Sequence, residues 1–175
     1  MSLGNIFIES AIQSFAYDKR LAERAIEQVP NAKMHESLDE STNSIVVIMK
    51  HISGNLRSRW TDFLTSDGEK SWRHRDTEFI DDFESREQLI EFWEGGWSCL
   101  FNSLRELSAD DLTKTVQIRG VDHSVPMAVA RSNAHIAYHV GQIVMIARIH
   151  VGDAWNTLTI DRGKSEEFNR ENWGK

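Results

Sequence analysis

The stretch Pro126-Met-Ala-Val-Ala-Arg-Ser-Asn-Ala-His135-Ile-Ala-Tyr-His139-Val-Gly-Gln-Ile-Val-Met-Ile-Ala-Arg-Ile-His150 decides the fold. Proline suits the first turn of a helix, and Gly152 suits a C-terminal cap. One long helix is therefore expected from Pro126 to His150 or Val151. Within it, His135 and His139 are four residues apart, so their rings differ by about 40° and lie one turn apart on one face. Ala128, Ser132, Gln142, Ile146 and Ile149 fall within about 60° of the pair. That places the pair on an inward face, with small residues N-terminal to it where a cavity can open.

Three further long helices are expected upstream. Ile8, Ile12, Phe15, Ala22 and Ile26 form a helical stripe between about Asn5 and Gln28, stopped by Pro30. Asn31 to Asp39 reads as a linker. A second helix begins at Ser41 or Thr42, carries Ile45, Ile48, Ile52, Leu56 and Phe63, and ends at Asp67-Gly68. The polar stretch Glu69 to Glu78 reads as a long loop, a setting where function concentrates. Ser85-Arg-Glu-Gln88 is a capping-box pattern opening a third helix to about Leu107. Between the third and fourth helices, Thr115-Val-Gln-Ile118 and Val121-Asp-His-Ser-Val125 flank Arg119-Gly120, the pattern of a small β-hairpin. A short helix is expected in the tail, around Ser165 to Asn172. The whole, residues 1–175, reads as one all-α domain, a four-helix bundle with a small hairpin before its last helix.

Two prolines and ten glycines in 175 residues leave room for long helices. The net charge of −7 argues against nucleic acid and anionic membrane as partners. From Lys50 to Arg75, however, six basic residues meet three acidic ones, a local +3 that suits a small anion. A single cysteine, Cys99, allows no intramolecular disulfide, and no apolar run reaches membrane-spanning length. A reducing cytoplasm is the expected compartment. Cys99 itself reads as a small buried hydrophobe.

Two histidines seldom suffice to hold an ion, and a third ligand has to come from another helix. His51, midway along the second helix and three residues past Ile48, is the natural candidate. Neutral imidazoles suit zinc, nickel or ferrous iron, with manganese a further option. Three protein ligands leave a position open, the catalytic arrangement. The competing reading is a set of core histidines that only hydrogen-bond, yet three adjacent imidazoles without an ion would each need polar partners.

A histidine on the second helix followed by His135-Ile-Ala-Tyr-His139 on the last resembles the DinB/YfiT superfamily of bacterial proteins. Gly54-Asn-Leu-Arg-Ser-Arg-Trp-Thr-Asp-Phe-Leu-Thr-Ser-Asp-Gly-Glu-Lys70, Arg73-His-Arg-Asp-Thr-Glu-Phe79 and the tail Gly163-Lys-Ser-Glu-Glu-Phe-Asn169 resemble an uncharacterised branch of it. The resemblance implies a four-helix bundle with a crossover connection, a tri-histidine site for a divalent metal ion, and frequent homodimers. Related members transfer low-molecular-weight thiols such as bacillithiol or mycothiol, or use them in isomerisation.

On this reading the protein is a metal-dependent enzyme of small-molecule thiol chemistry, an S-transferase type. The alternatives are a metal-binding stress-response protein without turnover and a metal-dependent hydrolase. Arg57, Arg59 and Arg73, with Arg75, are candidates to grip an anionic substrate, against the plainer role of salt bridges to Asp62, Asp76, Asp81 and Asp82. Asn55, one turn past His51, can line the pocket. Tyr138 can offer a hydroxyl there or simply pack. His74 and His123 fall in loops or turns, and His150 is about 16 Å of helix beyond His139, too far to share its ion. Long apolar helices rich in Trp and Phe, together with the family habit, predict a homodimer.

Overall fold

The computed structural model describes residues 2–174 and is mostly helical. Four long helices, α1 (Leu3–Ile26), α3 (Ile45–Trp60), α4 (Arg86–Glu106) and α5 (Val125–Val151), make up the body. Each begins at a serine, Ser2, Ser44, Ser85 or Ser124, whose hydroxyl accepts a backbone N–H three residues on. That bond satisfies one of the donors a helix start leaves unpaired. At Ser85 the capping box is nearly as expected, although Gln88 reaches back to the Glu84 N–H. Pro126 and Gly152 take their expected places at the two ends of α5, and Gly152 has φ 61°.

Contacts run α1 to α5, α5 to α3, α3 to α4 and α4 to α1. The helices that follow one another in sequence as α1 and α3 are thus not neighbours in this ring. Their apolar faces meet in one core, with Phe15, Met49, Ile52, Leu56, Trp93, Trp97, Leu100 and Ile136 all fully buried. Helix α3 is central: nearly every residue from Ile45 to Leu56 is shielded from solvent.

Sequence expectation and structure differ in three places. Helix α3 stops at Trp60, seven residues short of Asp67, because Thr61 turns extended and Asp62 takes φ 48°. Ser58 then holds the returning chain, donating to the Gly68 carbonyl and accepting from the Lys70 N–H. The linker after α1 contains a single helical turn, α2 (Asn31–Met34), with Met34 buried. The polar stretch after Gly68 is not an open loop: its end coils into a 3-10 turn, Arg75–Phe79, packed on α3.

The hairpin forms as expected, β1 (Thr115–Ile118) antiparallel to β2 (Val121–Ser124), with Ile118 opposite Val121. Arg119 and Gly120 make the turn at φ 55° and 71°, the two positive values a tight hairpin needs. Both turn N–H groups donate to the Asp67 carboxylate, at 2.8 and 2.6 Å. The hairpin tip is thereby tied to the chain leaving α3. A last helix, α6 (Ser165–Trp173), lies in the tail with no fully buried residue. Among the described residues no helix is long and apolar enough to cross a membrane.

Candidate metal centre

His51 reaches outward from the middle of α3 and meets His135 and His139 of α5. One ring nitrogen from each of the three lies within 4.8 Å of the others, so the group can hold a metal ion. His51 is buried and the other two are half-buried. The pair on α5 lies at the edge of the buried face, and not in its middle. Ser132 and Ala128 are shielded, but Gln142 and Ile149 face solvent.

The outer nitrogen of each end histidine is held. His51 Nδ1 lies 2.9 Å from Glu78 Oε2 and His139 Nδ1 lies 2.7 Å from Gln142 Oε1. Carboxylate and amide oxygens accept, so both histidines carry their proton on Nδ1 and turn an Nε2 lone pair inward. A metal-bound histidine is commonly oriented in this way by its far nitrogen. His51 is further fixed by Phe79, whose ring stacks on it at 5.3 Å.

Glu78 is the centre of this support. It is buried, and Arg73 grips it with two bonds of 2.7 and 2.9 Å. Burial alone would raise its carboxyl; hydrogen bonds from His51 and Arg73 outweigh burial and hold it below the ordinary carboxylate value. Gly54 explains itself here: a Cβ at that position would run into the Glu78 carboxylate.

The donor set fits a divalent ion. His51 Nε2 and His135 Nε2 are 3.3 Å apart. Two ligands about 2.0–2.1 Å from a common ion at the tetrahedral angle would be about 3.3–3.4 Å apart. Without an ion, one imidazole would have to donate to the other, and His135 Nδ1 is already buried with no hydrogen-bond partner among the described residues. Burial, and then the neighbouring His139 and His51, push His135 down to about 3. Burial likewise lowers His139, against the Gln142 bond that opposes it. Both shifts favour the neutral imidazole, the form that ligates.

His135 also lines a cavity of about 210 Å³, shared with Asn55, Arg59, Trp60, Ser132 and Tyr138. The family model described as "Protein of unknown function (DUF1572)" matches residues 2–164. The chain belongs to the DUF1572 family. No curated protein and no solved structure matches it.

Of the further residues expected at the site in this DUF1572 protein, the structure gathers some and disperses others. Asn55, Arg59 and Tyr138 line the cavity. Arg57 points to the opposite side of α3, where its guanidinium lies over the Phe92 ring at 4.6 Å. Arg73 is held behind His51 by Glu78 and does not line this cavity. His150 bonds the Glu36 carbonyl, and His35 pairs with Asp81. Cys99 is half-buried beside Thr61.

Sequence reading missed Glu78, Gln142 in its bonding role, and two cavity arginines, Arg119 and Arg131. Signals existed for two of these. Gln142 is three residues past His139, and Arg131 is four before His135, so both share the histidine face of α5. Nothing local marks Glu78, which lies 27 residues from His51.

Proposed function

We propose that this protein is a divalent-metal-dependent enzyme acting on a small molecule, with His51, His135 and His139 as ligands of zinc or nickel. One observation carries the reading: inward-turned imidazole nitrogens, locked from behind by Glu78 and Gln142, stand beside a cavity that one of them lines. The finer expectation belongs to the same proposal. The four long helices would be a DinB-like bundle with a crossover, and the reaction a thiol transfer of the bacillithiol or mycothiol kind.

A divalent ion in this setting supplies Lewis acidity, which makes a thiol or water nucleophilic at neutral pH. The chain's own groups do the rest. Glu78 and Arg73 hold His51 in one tautomer and one orientation. Asn55 and Tyr138 offer polar groups to a molecule in the cavity, and Trp60 and Ile118 give it an apolar wall. The exposed Met145 and Ile149, four apart on α5, supply an apolar stripe for the homodimer that the reading includes. Light scattering at micromolar concentration tests that part.

Metal analysis of purified protein should find close to one divalent ion per chain. Thiol-transfer assays with bacillithiol or mycothiol and an electrophile should then show turnover that a chelator abolishes. A stoichiometric ion without turnover on any thiol or ester would replace the enzyme with a metal-binding protein. Absence of an ion after growth in zinc and nickel would sink the site itself.

A further inference from the structure

The cavity beside His135 has an unusual charge balance. Arg59 stands on its α3 side, Arg75 comes from the 3-10 turn, Arg119 from the hairpin tip and Arg131 from α5. Four separate elements thus bring guanidinium groups to one concavity. Glu69 is the one carboxylate that pairs with any of them among the described residues, at 3.1 Å from Arg119 and 3.7 Å from Arg59. That same carboxylate also faces Arg73, at 3.6 Å. Asp67, the other acid at this end, is spent on the backbone N–H groups of Glu69, Arg119 and Gly120. Among the described residues no carboxylate pairs with Arg75 or Arg131; Arg131 instead donates to His123 Nε2 at 3.3 Å.

Arg59 is the most telling of the four. Its Nη1 is buried and has no hydrogen-bond partner among the described residues. A buried charged donor left unsatisfied is costly, and such a donor marks a missing acceptor. Gly68 makes room for it, since a Cβ there would come within 3.0 Å of Nη1. Burial first, and then Arg73, Arg119 and Arg131, pull the Arg59 guanidinium down to about 10, with Glu69 opposing. Guanidinium forks match the planar oxygens of carboxylate and phosphate.

We propose that this cavity seats an anionic group, a carboxylate or phosphate, of the small molecule whose reactive atom meets the tri-histidine centre. The inference rests on the metal-dependent reading above and adds the class of substrate to it. Arg59 and Arg131 are the principal contacts; Arg75 and Arg119 complete the ring at the mouth. Such a grip positions the molecule and raises its effective concentration next to His135. Of the four arginines expected from sequence it keeps Arg59 and Arg75, and it puts Arg119 and Arg131 in place of Arg57 and Arg73.

The test is calorimetric titration of zinc-loaded protein with inorganic phosphate and, separately, with succinate, alongside zinc analysis of each sample. The parent should bind at least one of the two saturably, and the preferred one names the anion. The double variant Arg119→Gln, Arg131→Gln should lose roughly tenfold or more in affinity. A control of equal charge, Arg148→Gln with Arg162→Gln, should bind as the parent does. Equal losses in both variants, or no saturable binding by the parent, would overturn the proposal. If zinc stays at one per chain while neither anion binds, the anion seat falls and the metal reading stands. If anions bind but no zinc is held, the seat stands and the metal reading falls.

Discussion

On one side of α3, Gly96 of α4 lies so close to Ser53 that an added Cβ would sit 2.8 Å from the Ser53 Cα. Ser53 also donates to the Phe92 carbonyl, so the two helices are bonded as well as pressed together. On the other side, the same helix meets α5 through His51, Asn55 and Trp60, with Trp60 donating to Ser132 at 3.3 Å. Imidazoles and an indole hold that seam apart, and a cavity opens in it. The α3–α4 seam stabilises; the α3–α5 seam leaves space for a ligand. A binding site in a helical body needs both, since a helix loosely held on every side could not fix its side chains to within the tolerance that ligation requires.

Removing ligands breaks the contrast most directly. His51→Ala with His139→Ala should lower metal content from about one ion per chain to near zero, read by elemental analysis after dialysis. Unchanged content would show that the α3–α5 seam holds no ion. Glu78→Gln is subtler. It keeps the shape and removes the charge that orients His51, so metal affinity should fall about 10–100-fold while the helical signal is unchanged. If affinity stays within twofold, Glu78 is scaffold only.

Gly96→Ala tests the other seam. It should cost about 1–3 kcal/mol in denaturant unfolding, because the added Cβ meets the Ser53 Cα as well as its hydroxyl, and the backbone cannot swing aside. Metal content should be unaffected. The smallest effect is one of pH on metal-free protein. The unfolded chain protonates His135 near 6.5, whereas the folded one does so only near 3. Protons therefore favour the unfolded chain between those values, and stability should decline as pH falls from 6.5 towards 3. His135→Ala should flatten that slope in urea titrations at pH 7 and pH 5.

The start of α4, both ends of α5 and the hairpin were legible in the sequence because serine, proline and glycine act locally, as at Ser85, Pro126 and Gly152. The His135–His139 pair was legible because one helix supplies both ends of the spacing. The same angular rule separates two residues that the +3 window lumps together. From His51, Arg59 is turned by about 80° and Arg57 by about 240°, so only Arg59 can share the histidine side of α3. The premature end of α3 was hidden, since Ser58, Gly68 and Lys70 form their bonds across a turn that no periodicity announces. Glu78 was hidden for a related reason. Its burial depends on Arg73 and His51 arriving from opposite sides, which only tertiary structure decides.

The Asp67 clamp makes the hairpin an exchangeable part. Its carboxylate holds main-chain N–H groups at Arg119 and Gly120, so any turn that keeps two positive φ values keeps the grip. Descendants of this sequence can vary the side chains at the mouth without disturbing the imidazoles or the framework behind them. A library randomised at Gln117 and Arg119 would vary the cavity rim while the imidazoles and the frame behind them stay constant.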